Sequence, residues 1–182
     1  MVYLFLAEGF EEIEAVTPLD ILRRAGACVK TVSVNGNGLS VMGAHGIEIT
    51  ADIKIDDVDA DSAQMLILPG GSRGTEGLGA SEKLAQIIRQ VDSREGYIAA
   101  ICAAPTVLGN MGLLEKRRAT CYPSLAGELI EKGAKYKNDK VVCDGHFITS
   151  QGAGTSADFG FALTDKLFTR SETDRLRLSM VY

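Results

Sequence analysis

An α/β sandwich, a mostly parallel β-sheet with helices on both faces, is the fold that this sequence predicts. Three observations carry the prediction. The runs MLIL (residues 65–68) and YIAAI (97–101) are apolar on both faces instead of at alternate positions, as strands covered by helices on each side must be. Apolar runs alternate with helical patterns along most of the chain. Glycine is abundant, 20 of 182 residues, and much of it directly follows an apolar run, where tight strand-to-helix turns need it.

Taken in order, Val2–Leu6 reads as a strand and Glu11–Ala25 as a helix that stops at Gly26. Glu14, Pro18, Ile21, Leu22 and Ala25 fall on one side of that helix, so Glu14 begins an otherwise apolar stripe. Cys28–Val34 is the next strand, and Leu39–Met42 with Gly46–Thr50 forms a hairpin joined through Gly43. Gln64–Leu68 is a strand closed by Pro69-Gly70-Gly71, and Ser81 opens a helix over Ser81–Asp92 with Glu82 behind it. The strand Tyr97–Ile101 runs into Cys102, and Ala103–Met111 opens a helix with Pro105 near its start. A helix over Leu125–Lys132, a strand pair Lys140–Cys143 and His146–Thr149, and a helix across Thr155–Leu167 complete the pattern. The tail from Arg170 reads as a short helix packing on the sheet or on a partner. No linker, repeat or low-complexity stretch divides residues 1–182, which read as one domain.

With 46% hydrophobic and 24% charged residues, the chain has the composition of a soluble globular protein. Its formal net charge of −5 argues against nucleic acid or an anionic membrane surface as the main partner. The basic clusters Arg23–Arg24 and Lys116–Arg118 are too short to overturn this and read as solvated helix ends. The four cysteines form no CxxC pair and show no metal-ligand spacing with a histidine. The opening MVYLFLAEG turns acidic too soon for a signal peptide or a membrane span, so a reducing, cytoplasmic location is the default expectation.

Cys102 is the residue whose context says most about chemistry. A strand, a cysteine and a helix with almost no loop between them form a nucleophile elbow, and the small residues Ala100 and Ala104 flank it as glycines do in G-x-S-x-G. The helix start offers free N–H groups and a positive dipole end, an expectation of a lowered thiol pKa. The plainer reading is a small buried apolar cysteine; the elbow favours the reactive one. In open α/β sheets the ligand site lies beyond the carboxyl ends of the strands. The residues after Leu6, the Pro69-Gly70-Gly71 turn and Cys102 converge there. The Pro69-Gly70-Gly71 turn can offer one backbone N–H to a developing oxyanion, and the N–H of Ala103 a second. Glu14 has two open readings: a buried acid with raised pKa that donates to a thiolate, or an acid favoured by the helix N-terminus. Glu11 and Glu12 are assigned the second role. Cys28, Cys121 and Cys143 read as packing residues, as do Phe5, Phe147, Phe159 and Phe161 in the core.

The blocks AEGFEEIEAVTPLDILRRAG, LILPGG, YIAAICAAPTVL and ITSQGAGTSADFGFAL, in that order, resemble the ThiJ/PfpI superfamily in its glyoxalase- and deglycase-like DJ-one branch. The resemblance covers nearly the whole chain. It implies a flavodoxin-like three-layer sandwich and a homodimer. It also implies that Cys102 is the reactive, oxidation-prone cysteine, Glu14 the buried acid, and Gly71 and Ala103 the backbone donors. Around these the expected substrate-binding residues are Gly70, Tyr122, His45 and, from across the dimer, Arg24. Three departures matter: Tyr122 stands before Pro123 where some branch members carry a histidine, and Gln151 and Ala153 replace an arginine and a proline. The leading expectation is an enzyme without cofactor or metal, acting on small carbonyls through a Cys102 hemithioacetal with Glu14 as proton shuttle. Two other expectations stand beside it: a redox-sensing stress-response protein or chaperone oxidised at Cys102, and, more weakly, an amide or peptide hydrolase.

Overall fold

The computed structural model describes residues 1–34 and 38–182. A seven-stranded sheet forms its centre, built from β1 (Val2–Leu6), β2 (Val29–Ser33), β5 (Ile53–Lys54), β6 (Met65–Leu68), β7 (Tyr97–Ile101), β10 (Val141–Asp144) and β11 (Phe147–Ser150). The order is β10-β11-β7-β6-β1-β2-β5, and every pairing is parallel except β10 with β11 at one edge. The hairpin β3 (Ser40–Met42) and β4 (Glu48–Thr50) and the pair β8 (Arg118–Ala119) and β9 (Lys135–Tyr136) lie outside this sheet.

The helices are α1 (Glu12–Arg24), α2 (Ser72–Ala80), α3 (Glu82–Asp92), α4 (Pro105–Asn110), α5 (Ala126–Glu131), α6 (Ser156–Leu167) and α7 (Arg170–Ser179). α1 and α6 cover one face, where Val2, Leu4, Leu6, Met65, Ile67 and Ala99 pack against Leu22, Phe159 and Leu163. α2, α3, α4 and α5 cover the other, where Phe5, Leu66, Leu68 and Ile98 meet Leu78, Ile88, Val107 and Leu129. Both layers seal the sheet, which is why its strands are apolar throughout. α1 and α6 approach closely at Gly160, where a Cβ would lie 2.7 Å from Ile21 Cδ1. The four phenylalanines named above are buried to within 1%.

Three expectations change. α2 was not expected: its segment SRGTEGLGA carries interior glycines and no long apolar stripe. It forms because Gly74 packs on the preceding loop, where a Cβ would come 2.7 Å from Phe10 Cα. α4 starts at Pro105, two residues after the expected Ala103, since residues 102–104 form the turn itself. Of the three cysteines assigned to packing, Cys121 lies in the core and Cys143 packs half-buried against it, whereas Cys28 is exposed. The tail helix α7 packs on α6, with the Arg177 guanidinium over the Phe161 ring and the Tyr182 ring against it. No helix among the described residues is long and apolar enough to cross a membrane.

Candidate active site

Beyond the carboxyl ends of β1, β6 and β7, three loops come together. β7 delivers Cys102, whose φ of 64° is left-handed, a conformation that costs a non-glycine residue on the order of 1–3 kcal/mol. The surroundings hold it there: the Cys102 N–H donates to the Ser150 carbonyl at 3.0 Å, and the Cys102 carbonyl accepts the Tyr122 N–H at 2.8 Å. This is the elbow expected from the sequence. After β6, Gly70 has no room for a side chain; a Cβ would meet Glu14 Oε2 at 2.6 Å and Cys102 Cβ at 2.7 Å. Gly71 follows with φ 90° and caps α2. After β1, the loop 7–11 leads into α1, whose first turn is capped by Glu11: its Oε2 accepts the Glu14 N–H at 2.7 Å.

Glu14 is 1% exposed and accepts the Gly70 N–H on Oε2 at 2.9 Å. Burial pushes its carboxyl up from the ordinary 4.5 to about 7, against the hydrogen bonds from Cys102, Gly70 and Ala153 that favour the carboxylate, with the Glu11 charge adding to the rise. Of the two readings open for Glu14, the structure places a buried acid against the cysteine. Burial also pushes the Cys102 thiol up to about 12, reinforced by the Glu14 charge and its hydrogen bond, while the N–H groups of Ala103 and Gly71 pull the other way. The expected lowering by the helix end is therefore overturned in direction, because burial and a neighbouring carboxylate outweigh two backbone donors. With both groups pushed up by burial, loss of the first proton leaves a pair that holds one proton and one negative charge. Moving that proton from sulfur to Glu14 makes a thiolate without removing any charge to solvent.

The pair opens on a cavity of about 540 Å³ lined by Glu14, Cys102, His45, Tyr122, Ile13 and Ala153, among others. Gly152 closes the rear, where a Cβ would sit 3.9 Å from Cys102 Sγ. Cys102, Glu14, Gly70, Gly71, Ala103, His45 and Tyr122 are thus brought together. Arg24 is not: it stands ten residues along α1 from Glu14, about 15 Å away, with Nε on Asp20 at 2.6 Å. His146 lies apart from the cavity, its Nε2 2.7 Å from Asp92 Oδ1. Cys121 is fully buried with its thiol pushed up to about 11 by burial, and does not line the cavity. A second cavity, of about 390 Å³, lies between α2, α3 and α4 and is lined by neither a cysteine nor a histidine.

Glu12 is the residue that sequence reasoning undervalued. It is 5% exposed and receives the β3–β4 turn: the His45 N–H at 2.6 Å on Oε1, and His45 Nδ1 at 2.7 Å from Oε2. Burial raises its pKa, but the ring and backbone hydrogen bonds from His45, with the N–H of Ile47, leave it below the usual range. Local sequence offered no signal, since the partners lie 33 and 35 residues away.

Fold and site together define a class: an α/β sandwich whose elbow cysteine faces a buried glutamate. The chain belongs to the DJ-1/PfpI family, whose model matches residues 1–166. It is 37% identical over 164 residues to Protein dj-1beta of Drosophila melanogaster, covering 90% of this chain and 87% of that one. The crystal structure of Drosophila DJ-1beta superimposes with a TM-score of 0.94 at 34% identity, covering 99% of this chain and 96% of the other. A protein named a deglycase in Pyrococcus abyssi is 31% identical over 153 residues, 84% of this chain and 90% of that one. Identity to Protein DJ-1 homolog B of Arabidopsis thaliana is 37% over 169 residues, 92% of this chain, and the chain spans 38% of that protein's length.

Proposed function

We propose that this chain is a cofactor-independent enzyme acting on small reactive carbonyls such as methylglyoxal and glyoxal. One observation carries the reading: Cys102 and Glu14 are hydrogen-bonded to each other in the wall of one cavity, with the Gly71 and Ala103 N–H groups directed at the sulfur. The thiol proton passes to Glu14 as sulfur bonds to the aldehyde carbon, and the new oxyanion is held by those two N–H groups and takes the proton back. Glu14 then removes the hydrogen from that carbon and returns it to the neighbouring one, while the hydroxyl proton of the first carbon passes to the oxygen of the second, giving an acyl thioester without net oxidation. Water releases the hydroxyacid. The relative named a deglycase supports the substrate class.

The same reading carries a homodimer. Ile13, Val16 and Ile47 are apolar and 54%, 43% and 56% exposed around the cavity side of α1 and the hairpin. A second copy laid on α1 would cover them and bring its Arg24 toward the cavity mouth. Sedimentation at micromolar concentration tests this, and a monomer would remove Arg24 from the site.

The reaction is tested by lactate formation from methylglyoxal in Glu14→Gln. Loss on the order of a thousandfold is expected with the fold intact. Lactate at the wild-type rate would overturn the mechanism.

A further inference from the structure

Tyr122 stands where some family members carry a histidine, yet the cavity does contain an imidazole in an ordered setting. His45 Nδ1 is 2.7 Å from Oε2 of Glu12, a carboxylate that is itself 5% exposed and fixed by the main-chain N–H of His45 at 2.6 Å. A carboxylate accepts only, so Nδ1 carries the proton, and in the neutral ring Nε2 is the acceptor. Gly43 leaves space for this contact: a Cβ there would strike Glu12 Oε1 at 2.3 Å. The charged groups facing the ring are Glu12 and Glu11, the latter 4.0 Å from Nδ1 at Oε1. A buried acid thus orients an exposed imidazole that lines the same cavity as Cys102 and Glu14.

We infer that His45, oriented by Glu12, is the base that activates water to release the acyl group from Cys102. This rests on the carbonyl reading above, and assigns a base to the hydrolysis, the step for which that reading names none. Nε2 takes a proton from water as the water oxygen bonds to the thioester carbon. The C–S bond breaks with its electron pair remaining on sulfur, and the imidazolium returns the proton to that sulfur. One water is consumed, one carboxylic acid is formed, and the thiol and imidazole are restored.

The test is rapid mixing with methylglyoxal and quenching into hydroxylamine, which converts a lactoyl thioester to lactohydroxamate. His45→Gln should form the acyl adduct in its first turnover, accumulate it, and release lactate on the order of a hundredfold more slowly than wild type. Added imidazole should restore release in His45→Ala, which a merely structural role would not allow. Glu12→Gln should slow release less and move the acid limb of its pH profile downward, since the carboxylate raises the His45 pKa. Release at the wild-type rate in His45→Gln, or loss of adduct formation together with release, would overturn the assignment while leaving the carbonyl reading standing. Absence of both adduct and lactate in the wild type would remove that reading, and this assignment with it.

Discussion

The first turn of α1 has two flanks, and a carboxylate on each has settled into the opposite state. Glu12 and Glu14 are two positions apart, about 200° around the helix. Both are nearly sealed, at 5% and 1% exposure, and burial pushes both upward. Glu12 lies under the β3–β4 turn and collects N–H groups from His45 and Ile47, which leaves it below the usual range. Glu14 faces the elbow, where burial dominates the donors of Gly70 and Cys102, and rises to about 7. Depth alone therefore does not set the charge of a buried acid; the balance between depth and the donors aimed at it does. One acid is held as the carboxylate and the other is pushed toward its protonated form.

The sharpest way to break this contrast is stability against pH. For Glu14 the folded pKa lies above the ordinary 4.5, so its ionisation destabilises the fold, by nothing below that value and fully above about 7. Glu14→Gln should then be more stable than wild type by about 3 kcal/mol at about pH 8, with the gain vanishing below the ordinary carboxylate range. Denaturant unfolding at both ends checks it, and a gain independent of pH would refute it. Glu12 carries the reverse sign: its folded pKa is depressed, so its contribution is present above 4.5 and is lost as pH falls through the folded value. Glu12→Gln should cost about 2 kcal/mol at neutral pH, and the deficit should close in acid. Parallel profiles for the two variants would erase the distinction. Gly43→Ala tests the same clasp by crowding, since its Cβ would overlap the Glu12 side chain; a loss of about 1–2 kcal/mol is expected. Glu11→Ala should have the smallest effect, about 1 kcal/mol from the lost cap, with a slight fall in the Glu14 pKa as a like charge is removed. An NMR titration of the Glu14 carboxyl carbon would detect it.

The inner flank was legible in the sequence, and the outer one was not. Glu14 stands at the head of an apolar stripe, Cys102 sits between small residues at the end of an apolar strand, and Gly70-Gly71 closes another. Those are local patterns, and the fold places them as their spacing requires. Glu12 shows the limit of such patterns. Its partners belong to a hairpin distant in sequence, so only its position in the first helical turn was visible. α2 shows no such pattern for a related reason: beyond Leu78, it is held by close backbone contact of Gly74 with the loop before α1. The direction of the Cys102 pKa was misread because a helix end is a local feature, whereas burial and the Glu14 charge arrive through tertiary structure.

The left-handed backbone at Cys102 has a consequence for stability. Glycine at that position would relieve the strain, stabilising the fold by about 1 kcal/mol. The elbow thus holds a thiol at a place where the backbone alone would favour glycine.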